Sequence, residues 1–543
     1  MEDQALLVRK DANGNPVCIS GGRCVPYNPF SDGGVTQDQL NYLYTAGTGY
    51  GSTTLRTFHA DVTGQLGEYG LKLPSASDGV AVNLGFEQRN ENVYFSPDSG
   101  LASGQLSGFG SAAVGIDASE AVSEEFVELR APLVQDKRWV KDLLFDTGYR
   151  TSDYSVSGRV NTYKFEVQYA PTDDLRLRGS YQRATRAPSI VELFNGPLVG
   201  LIQLGNDPCS VTTDANGNPV AAQATLEQCL HGVPASEVAQ FTAQYGDGFA
   251  TNRIPPSILG QLSQKTGGNP ALAPEAATTY SYGLSLTPQA LPDFIGSLDY
   301  YHIRIEQEIG VIPAQVILNN CIFNGDPLYC SQLVRQHNTG GLTGATIAGG
   351  GYIIQQNLNL GKADTSGIDV QTAYKLALAP RWGSIAFVLN GSLQLTNKTQ
   401  PIPGAHTFDC TGLYGVSCQT VNPKWHHMLR TTWLTPWDLS VALTWRYLGS
   451  VKEDNNDSDP TLHFATFGAY DFAHAQIPSF SYLDLAANWT VNKHLELRGG
   501  INNVLDKDPP LASVEIVSGG AANTYSTYDA LGRQLFLAFT ARF

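Results

Sequence analysis

The sequence predicts an all-β fold, a transmembrane antiparallel β-barrel with about 16 strands present, and three observations carry that reading. Apolar and polar side chains alternate with period two in segments from one end of the chain to the other. The connections are lopsided, with minimal turns alternating with long Gly-rich loops. The polar face of the segments holds charges of both signs, which a dry core would not accept.

Bulk composition agrees. Of 543 residues, 42% are hydrophobic and only 15% charged, against roughly 25% charged in a soluble domain. No stretch approaches the roughly 18 apolar residues of a spanning helix. The opening "MEDQALLVRKDANGNP" is charged and has no signal-peptide core, which alone would say cytoplasm, against what the strands say. A formal net charge of −16 argues against a nucleic-acid partner, which would want a basic face.

Sixteen alternating segments begin near residues 2, 53, 80, 123, 142, 159, 174, 276, 294, 352, 384, 424, 438, 481, 494 and 532. In "NTYKFEVQYAP", Tyr163, Phe165, Val167 and Tyr169 oppose Lys164, Glu166 and Gln168. "IAFVLNGSLQLT" sets Ile385, Phe387, Leu389, Leu393 and Leu395 against Asn390, Ser392, Gln394 and Thr396. "LSVALTWRYLG" sets Leu439, Val441, Leu443, Trp445 and Tyr447 against Ser440, Thr444 and Arg446. Several segments are long enough to cross a bilayer at a tilt of about 45°.

"PTDD" (171–174), "APRWGS" (379–384), "TPWD" (435–438) and "TVNKH" (490–494) are minimal turns, whereas 188–274, 311–350 and 452–479 are long loops. The eight cysteines form four close pairs in loop-like stretches: Cys18/Cys24, Cys209/Cys229, Cys321/Cys330 and Cys410/Cys418. Local pairs without C-x-x-C or accompanying His spacing favour disulfides over metal binding, hence an oxidising compartment. Eight cysteines allow 105 connectivities, so pairing by proximity is an expectation.

Tyr163, Tyr169, Trp433, Trp445, Tyr447 and Trp489 sit at the ends of apolar rows, as interfacial girdles do. The opposite face carries Asp61, Glu87, Arg89, Glu128, Arg130, Asp146, Arg150, Arg176, Arg178, Asp484, Glu496 and Arg498 among others. That inventory suits a wet or plugged lumen. The chain ends "LGRQLFLAFTARF", with Leu535, Leu537, Phe539, Ala541 and Phe543 on one parity: a last strand carrying its lipid-facing row to the final residue.

Local motifs are weaker. In "RAPSIVELF" (186–194), Arg186 and Glu192 are either ligand contacts or loop anchors, and the anchor reading is favoured. In "INNVLDKDPP", Asn502, Asn503 and Asp506 organise a turn. "DNNDSDP" lacks the Gly and distal Glu of an EF-hand loop and reads as a solvated acidic loop. His426 and His427 are adjacent on a strand, so their rings face opposite sides. "DANGNPV", at 11–17 and 214–220, is a loop-tip solution used twice. No catalytic constellation, phosphate-cradling loop or cofactor motif stands out. Aromatic residues of the long loops, Tyr245, Phe249, Tyr329, Tyr352, Phe464, Phe467 and Tyr470, are candidates for stacking on a ligand. The candidate ligand set is therefore Arg186, Glu192, Tyr245, Tyr352 and Tyr470.

Several segments together resemble the C-terminal barrel of TonB-dependent outer-membrane receptors. They are "LRLRGSYQRATRAPSIVELF" (175–194), "GGNPALAPEAATTYSYGL" (267–284), "SLDYYHIRIEQEI" (297–309), "ADTSGIDVQTAY" (363–374), "LRGGINNVLDKDPP" (497–510) and "YDALGRQLFLAFTARF" (528–543). The resemblance implies a 22-stranded barrel around an N-terminal plug. It implies a small extracellular nutrient as ligand, such as a siderophore or carbohydrate, and energy drawn from the inner membrane through TonB. It also implies bacterial outer-membrane lipid as surroundings and insertion by the barrel-assembly machinery, for which Leu535, Leu537, Phe539 and Phe543 would be the signal. Nothing before residue 175 reads as a plug, so residues 1–543 are expected to be a partial barrel domain, with Met1 just before the family's seventh strand. A wall of that kind would leave two edges unpaired in lipid. The alternatives are a plugless sixteen-stranded diffusion porin and a non-functional fragment.

Overall fold

A computed structural model describes residues 2–28, 34–104, 106, 112–204, 207–213, 219–245, 254, 261–337, 339–344, 346–402, 406–415, 417–462, 475–512 and 524–542. The chain divides into two compact units, Met1–Ser52 with Phe95–Gly115, and Thr53–Tyr94 with Ile116–Phe543. No helix among the described residues is long and apolar enough to cross a membrane.

Fifteen of the sixteen anticipated segments are long strands of one antiparallel sheet. They are β1 (Gly49–Gln65), β2 (Ala81–Pro97), β3 (Ile116–Lys137), β4 (Val140–Tyr154), β5 (Gly158–Ala170), β6 (Leu175–Arg186), β7 (Glu275–Leu286) and β8 (Phe294–Gly310). The rest are β9 (Leu358–Ala377), β10 (Ser384–Gln400), β11 (Trp425–Leu434), β12 (Leu439–Leu448), β13 (Phe480–Asn492), β14 (Leu495–Asn502) and β15 (Gln534–Ala541). Each neighbours its sequence successor from β1 to β15, and the sheet's sixteenth member is the two-residue strand Phe408–Asp409 beside β10. The segment expected near residue 2 is different: Glu2–Leu6 is a short helix. Its Ala5 is fully buried, and only Val8–Lys10 is extended, paired with Pro16–Cys18. Five residues of alternation are too few to fix a period when a local contact competes.

The turns after β3, β5, β9, β11 and β13 span 138–139, 171–174, 378–383, 435–438 and 493–494. Trp139 and Asp438 adopt positive φ there, 67° and 55°, as tight reversals demand. At the other end the connections are 187–274, 311–357, 401–424, 449–479 and 503–533. The exceptions are the tight 155–157 turn between β4 and β5 at this end and the longer 66–80 connection between β1 and β2 at the other.

All four disulfides form as paired by proximity: Cys18–Cys24, Cys209–Cys229, Cys321–Cys330 and Cys410–Cys418. The first lies in the smaller unit beside the first "DANGNPV". There Asp11 Oδ1 accepts the Asn13 and Asn15 amides at 2.9 and 2.8 Å, and Gly14 takes φ 85°. The second copy also straddles a hairpin, with Thr212 opposite Val220, although 214–218 lie outside the described residues.

Register fixes the two faces of the sheet. On the apolar face, rings of Tyr163, Phe165, Tyr181 and Tyr280 follow one another at centroid separations of 5.0–6.0 Å near the loop end. Near the turn end Trp433 packs against Trp382 and Trp437 at 6.4 and 6.3 Å. Trp433 Nε1 donates to the Trp382 carbonyl and Tyr169 Oη to the Trp139 carbonyl. Two aromatic belts on one face, with aliphatic rows between them, are the signature of a membrane-facing wall.

The long loops fold into two bodies. The described residues of 187–274 and 311–357 build a four-stranded sheet (Leu333–Val334, Tyr352–Ile354, Gln261–Thr266, Leu198–Gln203) against the helices Leu226–Leu230, Val238–Tyr245 and Ala314–Asn324. Its core of Cys209, Cys229, Ile317, Leu318, Cys321, Ile322 and Ile353 is shut off from solvent. The described residues of 401–424, 449–479 and 503–533 make a smaller body around Tyr414, Val451, Ile477, Phe480, Tyr482, Tyr525 and Tyr528. Burial pushes the Tyr528 hydroxyl up to about 12. "DNNDSDP" is not wholly solvated. Asp454 is buried, and its carboxylate accepts the Ser417 and Cys418 amides at 2.8 and 2.9 Å, which replaces the water it loses.

Candidate functional site

The polar face of the sheet is the candidate site, and it is built as rungs of directly opposed residues. Cross-strand partners share a face, so register alone places Arg130, Asp146, Glu166 and Ser180 in one line across β3 to β6. Charges on this face pair with each other. Arg178 Nε donates to Asp299 at 2.7 Å. Glu124 receives Ser152 Oγ at 2.6 Å and Arg150 at 3.3 Å. His59 lies 3.1 Å from Glu87. Opposed signs lower the cost of holding so many charges in one wall.

Arg186 ends β6 opposite Glu275 of β7. Its guanidinium grips Glu275 through Nε and Nη2 at 2.9 and 2.8 Å, and Glu192 through Nη1 and Nη2 at 3.0 and 3.2 Å. Glu192 closes a capping box with Ser189 on the helix Ile190–Phe194, and Glu275 also accepts the Ile309 amide at 2.6 Å. Burial raises the Glu192 pKa, but Arg186 and Ser189 outweigh it and hold the carboxyl below the ordinary value of 4.5. The arrangement is an anchor that fixes where the first loop body leaves the wall. It leaves Arg186 fully engaged.

The other expected ligand residues fare differently. Tyr245 is buried and donates to the Thr339 carbonyl at 2.5 Å. Tyr352 is buried and donates to the Ile347 carbonyl at 3.3 Å. Both rings serve the core of the first loop body and present no face to a ligand in this state. Tyr329 is buried likewise. Tyr470, Phe249, Phe464 and Phe467 lie outside the described residues, as does Phe543. Leu535, Leu537 and Phe539 project from β15 with exposures of 77%, 84% and 75%.

Sequence reasoning passed over the mouth of the polar face. Asp369 of β9, Ser392 of β10 and His426 of β11 form one rung. Gln371, Asn390, Met428, Arg446 and Tyr482 form the next, across β9 to β13. Together they line a cavity of about 490 Å³. His427 points the opposite way, as strand alternation required. It stacks on Tyr447 at 5.1 Å and accepts at Nδ1 from Trp425 Nε1 at 2.8 Å. Arg446 is held by Asp484 (Nε, 2.7 Å) and Asp529 (Nη1, 3.0 Å), with its guanidinium 4.8 Å above the Tyr482 ring.

These features, a charged and internally paired inner wall, belted apolar exterior and loops massed at one end, coincide with a match to known proteins. The family model "TonB dependent receptor-like, beta-barrel" matches residues 23–227 and 231–504. The chain belongs to this family. No curated protein matches. Among solved structures, a mutant ferric enterobactin receptor from Pseudomonas aeruginosa, in complex with enterobactin, is 17% identical with a TM-score of 0.55. The siderophore receptor PirA from Acinetobacter baumannii is 13% identical with a TM-score of 0.50. The match covers 90% of this chain and 54% of the first, and 91% of this chain and 55% of the second. The chain therefore spans just over half the length of these structures, and at such identities the likeness is one of fold.

Within the TonB-dependent receptor barrel, the resembling segments acquire physical roles. "RAPSIVELF" is the Arg186 anchor. In "INNVLDKDPP", Asn503 binds the Lys507 backbone through both side-chain atoms at 2.9 Å, with Asn503 and Asp506 at φ 51° and 53°. "YDALGR" supplies Asp529 to Arg446, and its Arg533 amide reaches Asp506 at 2.9 Å. The turn expected around Asn503 and Asp506 is thus also the joint between β14 and the last loop.

Proposed function

We propose that the chain is the barrel part of an outer-membrane receptor that captures a small extracellular nutrient and imports it with energy drawn through TonB. The family membership of the wall carries this reading. The paired charges of the inner face suit a wall against which a plug docks and undocks, because opposed charges can exchange partners at modest cost. The loop bodies, stiffened by disulfides, would face the oxidising exterior. The exposed row Leu535, Leu537 and Phe539, with Phe543, would be read by the barrel-assembly machinery, and residues 1–543 belong to the receptor's barrel part in this account.

The test is genetic. Strains lacking this gene, TonB, or both are grown under limitation for iron, carbon or other scarce nutrients. The reading requires that loss of this gene slow growth on one nutrient class, and that on this nutrient the double mutant grow no worse than the strain lacking TonB alone. No defect in any medium, or a steady ion conductance of the purified protein in planar bilayers, would instead favour a passive pore.

A further inference from the structure

We infer that the mouth cavity takes a neutral, hydroxyl-rich ligand of carbohydrate type and not an anionic metal chelate, an inference that rests on the receptor reading above. Three observations carry it.

First, the groups free to bind there are the right ones. Asp369, Gln371, Asn390 and His426 occupy two adjacent rungs and line one cavity of about 490 Å³, within the roughly 300–1,000 Å³ of ligand pockets. Gln371, Asn390 and His426 are exposed to it. No side-chain hydrogen bond or ion pair engages these four among the described residues, in contrast to the paired charges elsewhere on this face. Two amides, a carboxylate and an imidazole offer both donors and acceptors, as a polyol with alternating hydroxyls requires. Met428, between Asn390 and Arg446 in the rung, offers an apolar floor for the C–H face of a sugar ring.

Second, the cations an anion would seek are already neutralised. Arg446 faces the cavity but is bonded to the carboxylates of Asp484 and Asp529, and Arg186 to those of Glu275 and Glu192. Arg430, one rung deeper, lies outside the lining.

Third, the long loops are acidic. Stretches 187–274 and 449–479 hold eleven Asp and Glu against three Lys and Arg. Such a field repels anions on approach and is indifferent to neutral solutes.

The full-length protein, purified in detergent, would be screened against neutral oligosaccharides (α- and β-glucans, xylans, galactans, chitooligosaccharides) and against ferric enterobactin and ferric citrate. The expected result is binding of a neutral glycan, weakened about tenfold by Asn390→Ala or Gln371→Ala, as loss of about 1.4 kcal/mol per hydrogen bond gives. The isosteric Asp369→Asn is a second probe, and heat-modifiable gel migration confirms that each variant is folded. Failure to bind any neutral glycan overturns the inference. So does binding of a ferric chelate, whether or not these substitutions weaken it. In the latter case the receptor reading survives, whereas it falls separately if growth proves independent of TonB.

Discussion

The two loop bodies sit on the same wall but are held by different means. The body of 187–274 and 311–357 owns its core. Helix Ala314–Asn324 buries Ile317, Leu318, Cys321 and Ile322, and Arg335 and Asp207 meet inside it at 2.6 Å, each only 2% exposed. The body of 401–424, 449–479 and 503–533 borrows from the wall. Its core residues Phe480 and Tyr482 belong to β13, and Arg446 of β12 reaches out to Asp529. A loop long enough to bury side chains of its own becomes a small fold. A shorter one must root in the strands beneath it, and so stays coupled to the lumenal face.

That contrast can be broken from either side. The largest effect is expected from Arg335→Ala, which leaves Asp207 buried and uncompensated. About 3–5 kcal/mol of local stability should be lost, seen as rapid proteolysis within 187–274 while 401–533 stays protected. Replacing Cys209 and Cys229 by Ser opens a link across 20 residues and should cost about 3 kcal/mol in the same body, by loop-closure entropy. Arg446→Ala should cost about 2 kcal/mol, because Asp484 and Asp529 lose their partner while still partly exposed. Its damage should appear in 503–533 and at the mouth cavity, not in 187–274. Equal protection of both bodies in that variant would mean the second is not rooted in the wall.

The smallest effect is one of pH. Glu192 is held below its ordinary value of 4.5 when folded, so its contribution is fully present above that value. It is lost as pH falls through the lower folded value. The protection factors of the Leu193 and Asn195 amides, corrected for the intrinsic pH dependence of exchange, should therefore fall below pH 4.5 in the wild type and stay level in Glu192→Gln.

The strands were legible because period two is a local pattern repeated over ten or more residues, with register enforced by a buried or lipid-facing side. The pairing of the cysteines was legible for the same reason of short separation. The site was not. Arg186 and Glu275 are 89 residues apart in sequence and neighbours only through register, and the Asp369–Ser392–His426 rung spans three strands. Tyr245 and Tyr352 read in the sequence as loop aromatics, but the loops that carry them are long enough to bury them. An aromatic residue names a contact and not its location.

The central claim, a membrane wall with its loop bodies outside the cell, is tested most directly by labelling intact bacteria. All eight native cysteines are in disulfides, so a single added cysteine is the reactive one. Ala235→Cys, in the first loop body, should react with a membrane-impermeant maleimide in intact cells. Thr172→Cys, in the turn after β5, should react only once the outer membrane is permeabilised. Labelling of Thr172→Cys in intact cells, with Ala235→Cys protected, would contradict the account.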